Sequence, residues 1–159
     1  MSIKTERLVL SPCTKDLYHA IKDDYPCGAH IMNYMEDVEE DPELAGWGCW
    51  FAFRRGRVIG DLGFKGKPTP LKTVEIGYGF LPEVRNAGYA TEAAEALIDW
   101  AFSTKEVEKV LAECRPDNTP SVRVLEKLNF EMYRRDDDLI FWQLPKREDG
   151  SSDSFTGKR

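Results

Sequence analysis

The sequence contains no CxxC pair, no apolar run near the about 18 residues a membrane-spanning helix needs, and neither a GxGxxG nor a GxxxxGK[ST] loop. Its four cysteines, Cys13, Cys27, Cys49 and Cys114, are irregularly spaced with no signal sequence ahead of them, and read as reduced, intracellular thiols. The missing glycine loops exclude the two commonest phosphate cradles. Histidine is scarce: His19 and His30 have no partners at ligand spacing, so no metal is expected, and surface or loop positions suit them better than catalysis. Cationic residues are outnumbered, 22 Lys and Arg against 28 Asp and Glu, for a net charge of −6 that would repel polyphosphate chains. These absences leave a cytoplasmic chain with no nucleic-acid or membrane partner, monomeric or homodimeric.

At 159 residues the chain fits one domain with one core, able to fold without disulfides or metal. Residues 7–12, "RLVLSP", alternate and stop at Pro12, which predicts a first strand. Residues 14–24 open on a Thr cap and place Leu17, Ala20 and Ile21 on one side, as a helix would; a second helix is predicted over 29–38. "CWFAFRRGRVIGDLGF" gives two strands joined at Arg55 and Gly56, because glycine supplies the positive φ of a tight hairpin turn. "TVEIGYGFLP" is a further strand ended by Pro82, and the following helix carries Ala94, Leu97, Ile98 and Ala101 at core-facing spacing. A strand over 107–114, a short helix through Val122, Leu125 and Leu128, and two last strands complete the order. Such an order predicts an α+β (mixed α/β) domain, with a mixed, mostly antiparallel sheet of six to seven strands and helices on both faces. The domain is assigned to residues 1–144 and a polar tail to 145–159.

The junction "LPEVRNAGYATEA" holds the clearest chemical signal. The first amides of a helix lack intrahelical partners and carry partial positive charge, so an anion fits there. The spacing is RxxGxA: Arg85 supplies a cation, Gly88 and Ala90 let backbone come close, and Asn86 tolerates a left-handed conformation. Diphosphate is the candidate ligand; a plain loop end with Ala90 packed under the helix is the bland alternative. On the strand before it, Val74, Ile76, Tyr78 and Phe80 share the core face. Glu75, Gly77 and Gly79 share the other face, where two absent side chains leave room for a ligand.

From "TERLVLSP" through "TVEIGYGFLPEVRNAGYATEAAEALIDWAF" to "ECRPDNTPSVRVLEKLNF", residues 4–144 resemble the GNAT superfamily of acyl-CoA-dependent N-acetyltransferases, and within it the ribosomal-protein, RimJ/RimL-like branch. The resemblance implies the acyl-CoA N-acyltransferase fold and transfer of acetyl from acetyl-CoA to an amine acceptor, without a metal. It implies that coenzyme A is held by Arg85, Asn86, Ala87, Gly88, Tyr89 and Ala90, with Phe80 and Leu81 offering backbone contacts to the pantetheine arm and a nearby N–H polarising the thioester carbonyl. Glu75 matches the general base of several such enzymes, whose pKa partial burial would raise; a structural, hydrogen-bonded glutamate is the competing role. Many relatives place an acidic Tyr where this chain has Leu125. Ser121 is then the remaining hydroxyl for the leaving thiolate, unless it serves the helix start. Asn118 contacts the pantetheine or holds the loop, and Asn129 stands where relatives have glycine at a helix end.

From Asp23 to Phe53 there are eight acids and no Lys or Arg. This segment either attracts a cationic amine as one wall of the acceptor site or is a solvated face. Trp47 and Trp50 are core residues or an aromatic acceptor wall. The resemblance implies that the acceptor is a primary amine, on a protein N-terminus or a small molecule, attacked directly in a ternary complex; the other reading is a catalytically weak acyl-CoA-binding sensor or interaction module.

Overall fold

The computed structural model describes residues 1–147. Eight strands form one sheet in the order β1-β2-β3-β4-β5-β6-β8-β7. They are β1 (Ile3–Lys4), β2 (Val9–Pro12), β3 (Cys49–Arg54), β4 (Arg57–Phe64), β5 (Thr73–Phe80), β6 (Lys109–Cys114), β7 (Glu131–Arg135) and β8 (Ile140–Pro145). The helices are α1 (Lys15–Ile21), α2 (Ala29–Glu40), α3 (Tyr89–Ser103) and α4 (Thr119–Lys127). β5 and β6 run parallel and the other neighbours antiparallel, as a strand-helix-strand crossover through α3 requires. The predicted mixed sheet is therefore present, with one strand more than expected. Ile3 and Lys4 pair back onto Leu10 and Val9, a local hairpin too short to show alternation.

Local signals act where the sequence placed them. Thr14 caps α1 through its hydroxyl, which accepts from the Leu17 amide at 3.1 Å. The β3–β4 turn puts Arg55 and Gly56 at φ 51° and 78°, the left-handed pair of a two-residue hairpin. Asn129 takes φ 68° after α4. Pro12 ends its strand as expected, as the last residue of β2, opposite Trp50. Pro145 likewise belongs to β8, and the Lys146 amide donates to the Glu108 carbonyl, so order runs past the predicted boundary at 144; residues 148–159 of the predicted tail lie outside the described residues.

Alternation along the strands divides the apolar side chains into two cores rather than the one expected, one on each sheet face. Trp50 and Ala52 of β3 turn toward α3 and α4, where Ala94, Leu97, Ile98, Ala101, Leu125 and Leu128 are fully or almost fully buried. Cys49 and Phe51 turn toward α1 and α2 and meet Ile21, Tyr25, Ile31, Tyr34 and Met35. Ala20 is exposed instead of inward, because Leu17 and Tyr18 supply the contacts that accompany Ile21. All four cysteines are free, and Cys13, Cys49 and Cys114 are buried.

On the outer side of α3, burial pushes the Asp99 carboxyl up to about 6 from an ordinary 3.8. An acid raised in the folded state binds its proton more tightly there than in the unfolded chain, so stability falls as pH rises from about 4 to about 6 and stays reduced above. Asp99→Asn should therefore stabilise the protein by about 1 kcal/mol at pH 7.5, after discount for partial exposure, and by nothing below about pH 4. Denaturant melts at the two pH values check both the sign and the window.

Candidate functional site

The site is built around β5. On one side its backbone pairs with β4 from Ile76–Phe64 to Phe80–Gly60. On the other it pairs with β6 at Thr73–Lys109, Val74–Val110 and Glu75–Leu111, and among the described residues no later pair follows, so the two strands part. Antiparallel residues alternate in which neighbour their backbone groups face. The Leu81 amide donates to the Ile59 carbonyl at 2.9 Å, continuing the β4 ladder. Phe80 and Tyr78 consequently turn their backbone groups the opposite way, into the gap. Of the two residues expected to offer backbone there, Phe80 does so, while the Leu81 amide is already engaged. The Phe80 carbonyl itself accepts from Arg85 Nε at 3.2 Å.

Above the gap, a 3₁₀ turn at Pro82–Val84 leads into α3 through Asn86 at φ 65° and Gly88 at φ 82°. Gly88 is the N-cap and offers no side-chain acceptor, which leaves the first amides of α3 unpaired within the helix. A cleft of about 470 Å³ opens here, lined by Phe80, Arg85, Asn86, Gly88, Tyr89 and Ala90 on one wall and by Thr119, Arg123 and Lys127 of α4 on the other. Three cations thus converge on a helix N-terminus in a chain of net charge −6. Arg123 and Lys127 carried no signal in sequence, because only the α3–α4 packing brings them to Gly88.

A fourth cation, also missed in sequence, holds the loop. Arg7 donates from Nη1 to the Ala87 carbonyl at 2.9 Å and from Nε to Glu92 at 2.7 Å, and its guanidinium lies 4.2 Å from the centre of the Tyr89 ring. Glu92 also accepts from the Thr5 hydroxyl at 2.6 Å and the Arg7 amide at 2.8 Å. Partial burial works to raise this carboxyl, but the hydrogen bonds from Thr5 and Arg7 outweigh it and hold it below its ordinary value.

The predicted site residues divide between the two edges of the gap. Ser121 starts α4, its amide capped by the Asn118 side chain at 3.2 Å, and its hydroxyl lies 2.9 Å from that of Tyr78. Tyr78 is therefore more than the core residue expected. Its ring packs with the α3 side of the sheet while its hydroxyl reaches across to α4, and burial pushes the phenol up. Leu125 is 1% exposed, part of the core and remote from any proton-donating role. Glu75 stands where β5 and β6 part, its carboxylate 2.6 Å from Lys65 Nζ and 29% exposed. It is partly buried, as expected, and paired with Lys65 at the edge of solvent.

On the α1–α2 face of β5 lies a second cavity, about 640 Å³, lined by Tyr34, Asp37, Leu44, Trp47, Asp61, Lys65, Gly77 and Gly79 among others. Of the eight acids counted between Asp23 and Phe53, Asp37 alone lines it; Glu39 and Asp41 pair with Lys15 and Lys67, as a solvated face would. Trp47 borders the cavity but packs its ring on Phe64 and Trp100 in the core, and Trp50 is wholly core and donates to the Gly46 carbonyl at 2.9 Å. His30 is not the lone histidine expected, since it pairs with Asp61. Among the described residues, no group of His, Cys, Asp and Glu is placed to hold a metal ion, and no helix is long and apolar enough to cross a membrane.

Residues 9–131 match the family described as Acetyltransferase (GNAT) domain. A Bacillus subtilis (strain 168) protein named Uncharacterized N-acetyltransferase YjdG is 33% identical over 114 residues, which cover 70% of this chain and 68% of that protein. The solved structure of a GNAT-family acetyltransferase from Bacillus anthracis is similar with a TM-score of 0.68 at 26% identity, over 91% of this chain and 98% of its own. RimL, a ribosomal L7/L12 alpha-N-protein acetyltransferase solved in complex with coenzyme A, is similar with a TM-score of 0.74 over 91% of this chain and 98% of its own; at 15% identity this likeness speaks for the fold alone. If the cleft at Gly88 takes the phosphates of coenzyme A, Arg123→Ala should weaken coenzyme A binding about tenfold in calorimetry and flatten its dependence on salt, since one charge-assisted phosphate contact contributes on the order of 1.5 kcal/mol.

Proposed function

The chain belongs to the GNAT acetyltransferase family and is an acetyl-CoA-dependent N-acetyltransferase, and from that premise we propose that it transfers acetyl to a primary amine by direct attack in a ternary complex. The observation that carries this reading is the parting of β5 from β6 directly above Glu75, with a cationic cleft at one end of the gap and a glycine-lined face beside it.

In this reading the unpaired amides around Gly88, with Arg85, Arg123 and Lys127, hold the diphosphate and other phosphate of the cofactor. Asn86, Ala87, Tyr89 and Ala90 shape that cradle. The pantetheine amides continue the sheet by pairing with the backbone groups of Phe80 and Tyr78 that face the gap, and an N–H from this row polarises the thioester carbonyl. Leu81 contributes by anchoring the end of β5 to β4, and Asn118 by setting the start of α4. The neutral amine attacks the carbonyl carbon, the tetrahedral intermediate collapses, the C–S bond breaks and the thiolate takes a proton.

Ser121 is the proton donor in this scheme, and the Tyr78 phenol resupplies it. A phenol whose pKa is pushed up by burial keeps its proton at neutral pH, so it can donate along the pair. The pair replaces the helical tyrosine that Leu125 rules out. Glu75 accepts the amine's proton, directly or through water, and Lys65 orients its carboxylate. Relatives named as N-acetyltransferases favour the enzyme over a cofactor-binding sensor.

Two kinetic outcomes are expected. Glu75→Gln should lower kcat about 100-fold with the KM for acetyl-CoA unchanged, in keeping with loss of a general base. Ser121→Ala and Tyr78→Phe should each cost about tenfold in kcat, and the double variant no more than the worse single one, because the two hydroxyls act as one unit. Full additivity would separate them, and unimpaired turnover in all three variants would overturn the assignment.

A further inference from the structure

Asp61 drew no attention in the sequence, yet it is the most enclosed carboxylate of the acceptor-side cavity. Its side chain is 16% exposed, and both oxygens are engaged: Oδ1 accepts from the Tyr25 hydroxyl at 2.6 Å, and Oδ2 lies 2.9 Å from His30 Nε2. The two partners differ in kind. Tyr25 is 5% exposed, set edge-on against Phe51 within the α1–α2 core, and burial followed by Asp61 itself pushes its phenol up, so it stays a fixed donor beneath the carboxylate. The His30 side chain is 64% exposed at the start of α2, and covers Asp61 only from the solvent side.

What lies beside Asp61 is bare. Gly79 is its partner across the β4–β5 ladder, and Gly77 follows on the same face. The other two glycines of the strands have a structural cause: a Cβ at Gly63 would stand 1.9 Å from the Gly48 carbonyl oxygen, and one at Gly60 2.5 Å from the Phe80 ring. Gly79 and Gly77 have no such cause. A Cβ at Gly79 would meet nothing within 4 Å, one at Gly77 only the end of Lys65 at 3.9 Å, and neither has a positive φ. Glycine weakens a strand interior, so two of them where packing asks for neither leave open floor between Asp61 and the gap. Tyr34 and Leu44, on the same side of the sheet, are the apolar wall of this floor. Lys65, the cation of the cavity, is already matched by Glu75, which leaves Asp61 as the enclosed anion.

We propose that Asp61 receives the ammonium group of the acceptor, which displaces His30 from Oδ2, and that the floor and wall select a primary amine carried on a slim apolar or aromatic body. This inference rests on reading the cavity as the acceptor side of an acetyltransferase. The Tyr25 hydrogen bond holds the carboxylate in place while its solvent-side partner changes. Asp61 thus fixes which amines bind, and Glu75, four residues from Gly79 on the same face of β5, takes the proton released by the amine through intervening water.

The test uses the full chain saturated with coenzyme A, titrated with phenethylamine and with its neutral isostere 2-phenylethanol while backbone amide signals are followed by NMR. Phenethylamine should bind at least tenfold more tightly than the alcohol and shift the amides of His30, Asp61 and Gly79. Asp61→Asn should lose at least tenfold in amine affinity and leave the alcohol unaffected, and His30→Ala, which removes the competitor, should bind the amine more tightly. Gly79→Ala, which packing tolerates, should weaken both probes. Equal affinity for amine and alcohol, no amine binding in this cavity, or weaker amine binding in His30→Ala would overturn the proposal, and preference for a peptide with a free N-terminus would overturn the acceptor class. Calorimetry with coenzyme A alone separates the two readings: if coenzyme A does not bind, the acetyl-transfer scheme fails, while the amine titration of the unliganded chain still decides the role of Asp61.

Discussion

The architecture depends on β5 being paired along one edge and released along the other. Buried backbone amides and carbonyls are costly when unpartnered, so a strand in mid-sheet normally has neighbours on both sides. Here the parallel register with β6 ends at Glu75–Leu111, while the β4 register continues to Phe80–Gly60. The released groups of β5 form an open half-ladder inside the molecule, whose natural partner is an extended chain with amides of its own. The pantetheine arm has that chemistry. The core under α3 and α4 makes the geometry possible, because it runs from Leu10 of β2 to Ile140 of β8 and holds the parted strands in one sheet.

A glycine-capped helix start gains specificity from what surrounds it. The loop before α3 crosses the left-handed region at both Asn86 and Gly88, a conformation that costs about 1 kcal/mol or more for a residue with a Cβ. Thr5 and Arg7 meet that cost from the far end of the chain by binding Glu92 and Ala87. The N-terminal hairpin is therefore part of the site although it contributes no reacting group. Arg123 and Lys127 then turn an otherwise modest helix-end field into a cationic cleft.

Two tyrosines, the partly buried Tyr78 and the buried Tyr25, each join their hydroxyl to a group on another element. Tyr78 meets Ser121 on the α3–α4 side of the sheet, and Tyr25 meets Asp61 on the α1–α2 side. In each case burial keeps the phenol protonated, which makes it a dependable donor toward the gap or the cavity. In the proposed scheme the two faces of β5 have distinct chemistry: leaving-group protonation on one, recognition of the acceptor on the other.

Short-range features were legible from the residues. The Thr14 cap, the Arg55–Gly56 turn, the α3 stripe, the left-handed Asn86 and Asn129 and the glycine face of β5 each follow from properties confined to a few neighbouring positions, so periodicity and turn chemistry reveal them. The resemblance of "EIGYGFLPEVRNAGYATEA" to a family extended that reading to the fold and the cofactor. Tertiary structure alone decided that Arg7 would grip a loop 80 residues away, that Tyr78 would reach Ser121, that Lys65 would pair with Glu75, and that Asp61 would be enclosed by Tyr25 and His30. Those contacts arise from packing between elements distant in sequence, and the spacing of residues along a chain carries no record of which side chains its folding will bring within a hydrogen bond.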